Sequence, residues 1–306
     1  MTTTFNTMPT SALHRPFVRR SIIAALATAL VVALPGCSLI KLGYGQASSL
    51  GYRWLDRYVD FDNEQSLKVR AALDDALAWH RRTQLPDYVQ LLSRAETEIA
   101  ADSTPERMCA WAGEIRTRIE PVLQQLAPTI AEVVLTLSPA QLAQIEKRFG
   151  ETNEEYRDDH LQKNPQRRHK AELKREVERA ETLYGRLDPV QRDLVAQSVS
   201  TSPYNAEAAY AERKERQNDV LALVRRLREN SAGRDDAMVQ VRAYLSVVDR
   251  SPREGHRRYV ERLTAHRCAL ASALQNSASS VQRREAARKL AGYRADFRAL
   301  MGDAAS

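Results

Sequence analysis

The chain has 306 residues, 28% of them charged and 43% hydrophobic, with 11 glycines and 12 prolines. That composition excludes a collagen-like, low-complexity or polytopic membrane chain, and three cysteines exclude a disulfide-dense scaffold. Basic residues number 46 against 39 acidic ones; Arg15, Arg19 and Arg20 fall before residue 37 in a stretch with no acid, which leaves a mildly basic net of +4 for the remainder.

The N-terminal segment reads as an address. After Arg19-Arg20 come 16 uncharged residues, SIIAALATALVVALPG. A comfortable transmembrane helix needs about 20 apolar residues, so this run fits the apolar region of a secretory signal peptide. It ends in Leu34-Pro35-Gly36-Cys37, which resembles the bacterial lipobox: an aliphatic residue, a small residue, then the cysteine that receives lipid. The resemblance implies cleavage after Gly36 and acylation of Cys37, with a palmitate-type acyl anchor. With Ser38 and no Asp behind the cysteine, it also implies sorting to the outer membrane, facing the periplasm. A plain signal peptide beside an incidental cysteine is the alternative. The expected organisation is a signal peptide over 1–36, a lipidated tether over 37–46 and one helical periplasmic domain over 47–306.

Downstream, the pattern is helical throughout, and the fold class expected is all-α, a multi-helix bundle. Thr104-Pro105, Ser138-Pro139, Asp188-Pro189, Ser202-Pro203 and Ser251-Pro252 each place a capping side chain before a proline that has no N–H to strand. Gln141, Gln191 and Glu254, each three residues after its cap, complete capping boxes. Apolar residues recur with helical spacing, as in Val220, Leu223, Val224 and Leu227. The spacing predicts helices over 47–61, 63–101 with a bend at Pro86, 105–136 interrupted at Pro121 and Pro128, 139–163, 166–186, 189–200, 203–230, 234–249, 252–276 and 280–301. Two halves meeting near residue 137 or 201 are the alternative to one domain.

Leu50, Trp54, Tyr58 and Phe61 fall on one face of the first predicted helix. The short tether would hold them near lipid headgroups, where aromatics and Arg53 or Arg57 touch the interface. The competing expectation is a core stripe that docks the helix. The segments LGYGQASSLGYRWLDRYVDFD at 42–62, AWHRRTQLPDY at 78–88 and SPYNAEAAYAERKERQNDVLALVRRLRE at 202–229 resemble a family of proteobacterial lipoproteins of unknown function. That resemblance implies a localisation and a helical fold, and no activity. A second resemblance is internal. Leu137-Ser138-Pro139-Ala140-Gln141 and Leu187-Asp188-Pro189-Val190-Gln191 resemble the LTxxQ boxes of periplasmic helical chaperones of the Spy and CpxP type, with Ser138 and Asp188 where that family has Thr. Ordinary helix capping is the other account of them.

Cys109 and Cys268 remain once Cys37 is acylated. An even pair in an oxidising compartment favours a bridge; two buried thiols are the alternative. No histidine shows metal-binding spacing. The acidic turn Glu154, Glu155, Asp158, Asp159, His160 reads as a solvated helix face. No nucleophile elbow, P-loop or dinucleotide fingerprint is present in the sequence, so no catalytic, cofactor-binding or metal residue is nominated and an enzyme is the least favoured class. The expected partners are the membrane, through acyl chains on Cys37, and envelope proteins or unfolded clients, with no nucleic acid. The leading expectation is a chaperone-like holdase, with Arg81, Arg82, Arg167, Arg168, Arg225 and Arg226 as candidate client-facing charges. The alternative is an adaptor that docks one envelope partner.

Overall fold

The computed structural model describes residues 39–302 other than Ser231 and Asp249; Gly36 and Cys37 lie outside the described residues. Among those residues the fold is all-α. In chain order the helices are α1 (Leu39–Gly45), α2 (Ala47–Val59), α3 (Asn63–Thr83), α4 (Leu85–Glu98), α5 (Pro105–Arg116), α6 (Ile119–Thr136) and α7 (Pro139–His160). The second half holds α8 (Pro165–Tyr184), α9 (Pro189–Ser200), α10 (Ala206–Glu229), α11 (Arg234–Leu245), α12 (Glu254–Ser277) and α13 (Ser280–Gly302).

Helix starts follow the chemistry of exposed N–H groups. Thr104, Ser138 and Asp188 cap α5, α7 and α9 as their Pro signatures predict, and Asn164 ahead of Pro165 does the same for α8. Ser202 and Ser251 do not cap. Each hydroxyl accepts instead from the N–H two residues on, at Tyr204 (3.1 Å) and Arg253 (3.2 Å). These local turns delay α10 to Ala206 and α12 to Glu254, so Glu254 completes no box.

Three other boundaries also differ from the sequence expectation. The stretch predicted as tether is helical over Leu39–Gly45, and α1 is fastened to the body by Tyr44 Oη against His80 Nδ1 at 2.8 Å. The chain turns at Gln84, where α3 ends and α4 begins, and Pro86 falls in the first turn of α4, where its missing N–H strands no carbonyl of that helix. Pro121 sits in the first turn of α6, where no N–H is needed, while Pro128 lies inside it without breaking it. Burial of Ala127, Ala131, Val133 and Val134 along that helix supplies the packing that holds it together.

Two buried clusters organise the packing. The first gathers Tyr52, Val69, Ala131, Ile145, Val224, Leu227 and Val241 with their neighbours, and is built from α2, α3, α6, α7, α10 and α11. The second gathers Tyr184, Leu187, Val195, Val199, Leu274, Ala278 and Ala286, from α8, α9, α12 and α13. The chain crosses between them: α13 lies along α4 in the most extensive helix pair, and α12 lies against α5. No single described helix is long and apolar enough to cross a membrane.

Candidate functional site

Each core is closed by a pair of helix starts that lock onto one another. In the first core, Asp62 caps α3 with Gln65 as its box partner, and Ser138 caps α7 with Gln141. The two glutamine amides then face each other: Gln141 Nε2 donates to Gln65 Oε1 at 2.6 Å, and Gln65 Nε2 approaches Gln141 Oε1 at 3.4 Å. Each also reaches the carbonyl two residues before the other's cap, Gln141 to Asp60 O (2.9 Å) and Gln65 to Thr136 O (3.3 Å). The second core repeats the arrangement. Asp188 and Gln191 open α9, and Ser279 and Gln282 form the same box at the start of α13. Gln191 and Gln282 exchange amide bonds at 2.9 and 2.8 Å. Gln191 reaches Ser277 O and Gln282 reaches Arg186 O, each at 3.2 Å.

The repeated unit is an apolar residue, Asp or Ser, two residues, then Gln. It occurs at Phe61–Gln65, Leu137–Gln141, Leu187–Gln191 and Ala278–Gln282. Sequence reading found the second and third through their prolines. The first and fourth carry the same box without proline, and a search on cap and glutamine alone would have found them. What no local rule gives is the pairing, which joins residues 76 and 91 apart.

Elsewhere Cys109 on α5 and Cys268 on α12 form a disulfide, with Cα atoms 5.3 Å apart. A charged cluster ties α10 to the start of α12. Glu212, only 7% exposed, accepts from Arg253 at 2.8 and 3.0 Å and from Arg216 at 3.0 Å, while Arg253 also reaches Asp219 at 3.1 Å. Burial alone would push the Glu212 carboxyl up, but hydrogen bonds from Arg253, Ser251 and Arg216 outweigh it and hold the pKa at about 2. Among the described residues no group of His, Cys, Asp or Glu is arranged to hold a metal ion. Open surface depressions lie between α10 and α11 at Arg226, Gln240 and Tyr244, and at Arg186, Pro189 and Arg192.

The six candidate arginines divide. Arg168 pairs with Glu207, Arg225 with Glu146, and Arg226 Nε donates to Gln240 at 3.1 Å. Arg81 lies over the Tyr44 ring, 5.6 Å from its centroid. Arg82 and Arg167 are exposed and make no ion pair with the described residues. The aromatic stripe at the N-terminus also divides. Tyr58 packs on Phe149, and Phe61, beyond the end of α2, packs on Tyr52 in the core. Leu50 and Trp54 stay half exposed at 52% each, with Leu42 at 55%.

Residues 57–244 match a family of unknown function, DUF6279, and the chain belongs to that family. The match contains the first glutamine junction. It stops within α11, so Gln282 and most of the N-terminal segment 42–62 lie outside it. No curated protein and no solved structure matches the chain.

Proposed function

We propose that this member of the family is a lipid-anchored envelope protein, cleaved after Gly36, acylated on Cys37 and carried to the outer membrane under the direction of Ser38. Its helical body faces the periplasm and works as a chaperone-like holdase. The observation that carries this reading is the way apolar side chains are left exposed. Leu67, Val190, Val239 and Val281 are strongly exposed on four different helices, alongside Arg82 and Arg167, which make no ion pair with the described residues. Such a surface suits weak, many-point contact with partly unfolded chains: charge draws the client in and scattered apolar groups retain it. Arginine contributes both a charge and a flat apolar face.

The anchor is tested by Cys37→Ser, which should leave an uncleaved or soluble precursor and abolish incorporation of labelled palmitate. Unchanged labelling would remove the lipoprotein reading. The holdase is tested by light scattering from a denatured client with and without the protein. Aggregation should be delayed at equimolar ratio, and the delay should shrink at about 0.5 M salt, where screening shortens the reach of charge to a few Å. No delay at severalfold excess would instead favour docking of a single partner. The second junction supports that alternative, since Val190 and Val281 each immediately precede one of its paired glutamines and are both strongly exposed.

A further inference from the structure

The helical start of the described chain has two opposed faces. Inward, Tyr44 is bonded to His80, Tyr52 Oη to Ser66 Oγ at 2.9 Å, and Leu55 and Val59 enter the first core. Outward, besides Gly43 and Gly45, the exposed positions are Leu42, Gln46, Ser49, Leu50, Arg53, Trp54 and Arg57, most of them three or four residues apart. Half of what a core would claim, two leucines and a tryptophan, is therefore turned to solvent beside two arginines. There is no acid on that face. Asp56 is the first acid after residue 39, and its carboxylate is turned onto Tyr52 Oη (3.3 Å) and the Phe61 N–H (3.1 Å).

The described chain begins at Leu39, two residues after Cys37, which is at most about 7 Å of chain. Helices α1 and α2 together extend over about 30 Å at the helical rise. A body fastened to an anchor so short holds this face within reach of the headgroups. Tryptophan and leucine bury at the headgroup boundary, and arginine pairs with phosphate there.

We infer that the outward face of α1 and α2, with Leu42, Leu50 and Trp54 as the apolar wedge and Arg53 and Arg57 as the phosphate contacts, docks flat on an anionic phospholipid surface. The orientation it gives the molecule rests on the acylation of Cys37, but the face binds lipid without it. Residues already folded onto the body dock with little ordering to be done, so the face acts as a preformed second attachment that turns a swinging anchor into a fixed one.

The test uses the chain from Ser38 onward, which contains every described residue, in co-sedimentation with vesicles. Vesicles mixing phosphatidylethanolamine with phosphatidylglycerol should retain it, and phosphatidylcholine alone should retain it far less. Trp54→Glu should lower partition onto the anionic vesicles by at least about tenfold, the effect of one large apolar side chain. Arg53→Gln and Arg57→Gln should each lower it about fivefold and flatten its salt dependence. Arg53 and Arg57 are exposed, so their variants should keep the parent's unfolding midpoint; Trp54 also rests on the Tyr58 ring at 4.9 Å, so circular dichroism checks that its variant is folded before binding is read. Failure of the parent to sediment, or variants that bind as well as the parent, would overturn the docking face. Palmitate labelling is read separately: vesicle binding without labelling would sustain the face while removing the anchor.

Discussion

Gln191→Ala removes the most deeply buried member of the second junction, a side chain 1% exposed. Its amide accepts from the Asp188 N–H (3.1 Å) and Gln282 Nε2 (2.8 Å) and donates to Ser277 O (3.2 Å) and Gln282 Oε1 (2.9 Å). Losing half of a capping box costs about 1 kcal/mol. The bond to Ser277 and the reciprocal pair with Gln282 contribute about 1 kcal/mol each, and the amide of Gln282 and the Ser277 carbonyl lose that partner. Together these give a loss of about 3 kcal/mol. Urea unfolding of the disulfide-bonded chain, followed by circular dichroism, measures it. A double-mutant cycle with Gln282→Ala isolates the reciprocal pair, whose coupling should be about 1–2 kcal/mol. An exposed control, Gln166→Ala, should change little, since its position calls on no buried partner. A loss below about 1 kcal/mol for Gln191→Ala, or strict additivity in the cycle, would refute the claim that the paired starts lock the second core.

Two further outcomes are expected. Titration of the denatured, unreduced Cys37→Ser protein should find no free thiol, and reduction should lower stability by about 2–4 kcal/mol; two titratable thiols would refute the Cys109–Cys268 bridge. Glu212 has its folded pKa lowered to about 2 from an ordinary 4.5, so its contribution is complete above pH 4.5 and is lost as pH falls through that window towards 2. Glu212→Gln should therefore destabilise the protein at neutral pH by about 3 kcal/mol, leaving Arg253 and Arg216 without their shared carboxylate. The variant should also lose that part of the acid-induced decline, as followed by unfolding midpoints from pH 6 to 2.5; an unchanged pH profile would count against the cluster.

Helix identity was legible because it depends on local chemistry. Capping oxygens, N1 prolines and apolar spacing act within one turn, and three of the five Ser/Thr/Asp-Pro starts fall where they predict. The failures are local too. Ser202 and Ser251 had a competing partner two residues ahead, and Pro128 was outweighed by packing along α6. What could not be read is whatever depends on partners far along the chain. Gln65 and Gln141 look like ordinary box residues until α3 and α7 are set beside each other, and Glu212 looks like one more surface acid until Arg253 arrives from 41 residues away. The aromatic stripe was misread as a unit for the same reason: Trp54 and Tyr58 share a helical face, but only Tyr58 meets Phe149.

The crossing of α12 and α13 back onto α5 and α4 has a consequence in time. A chain is made from its N-terminus, so α4 and α5 exist while the helices that cover them are still unsynthesised. Cys109 waits through 159 residues for its partner. Gln275, whose amide closes onto the carbonyls of Ile99 and Ala101 at 2.6 and 2.7 Å, arrives 174 residues after Ala101. The first core is complete in sequence by Leu245, whereas the second cannot close until Ala286 on α13 is in place. A chain interrupted after residue 250 would thus carry one finished core and one open flank. Its fate would turn on how long that flank can stay uncovered.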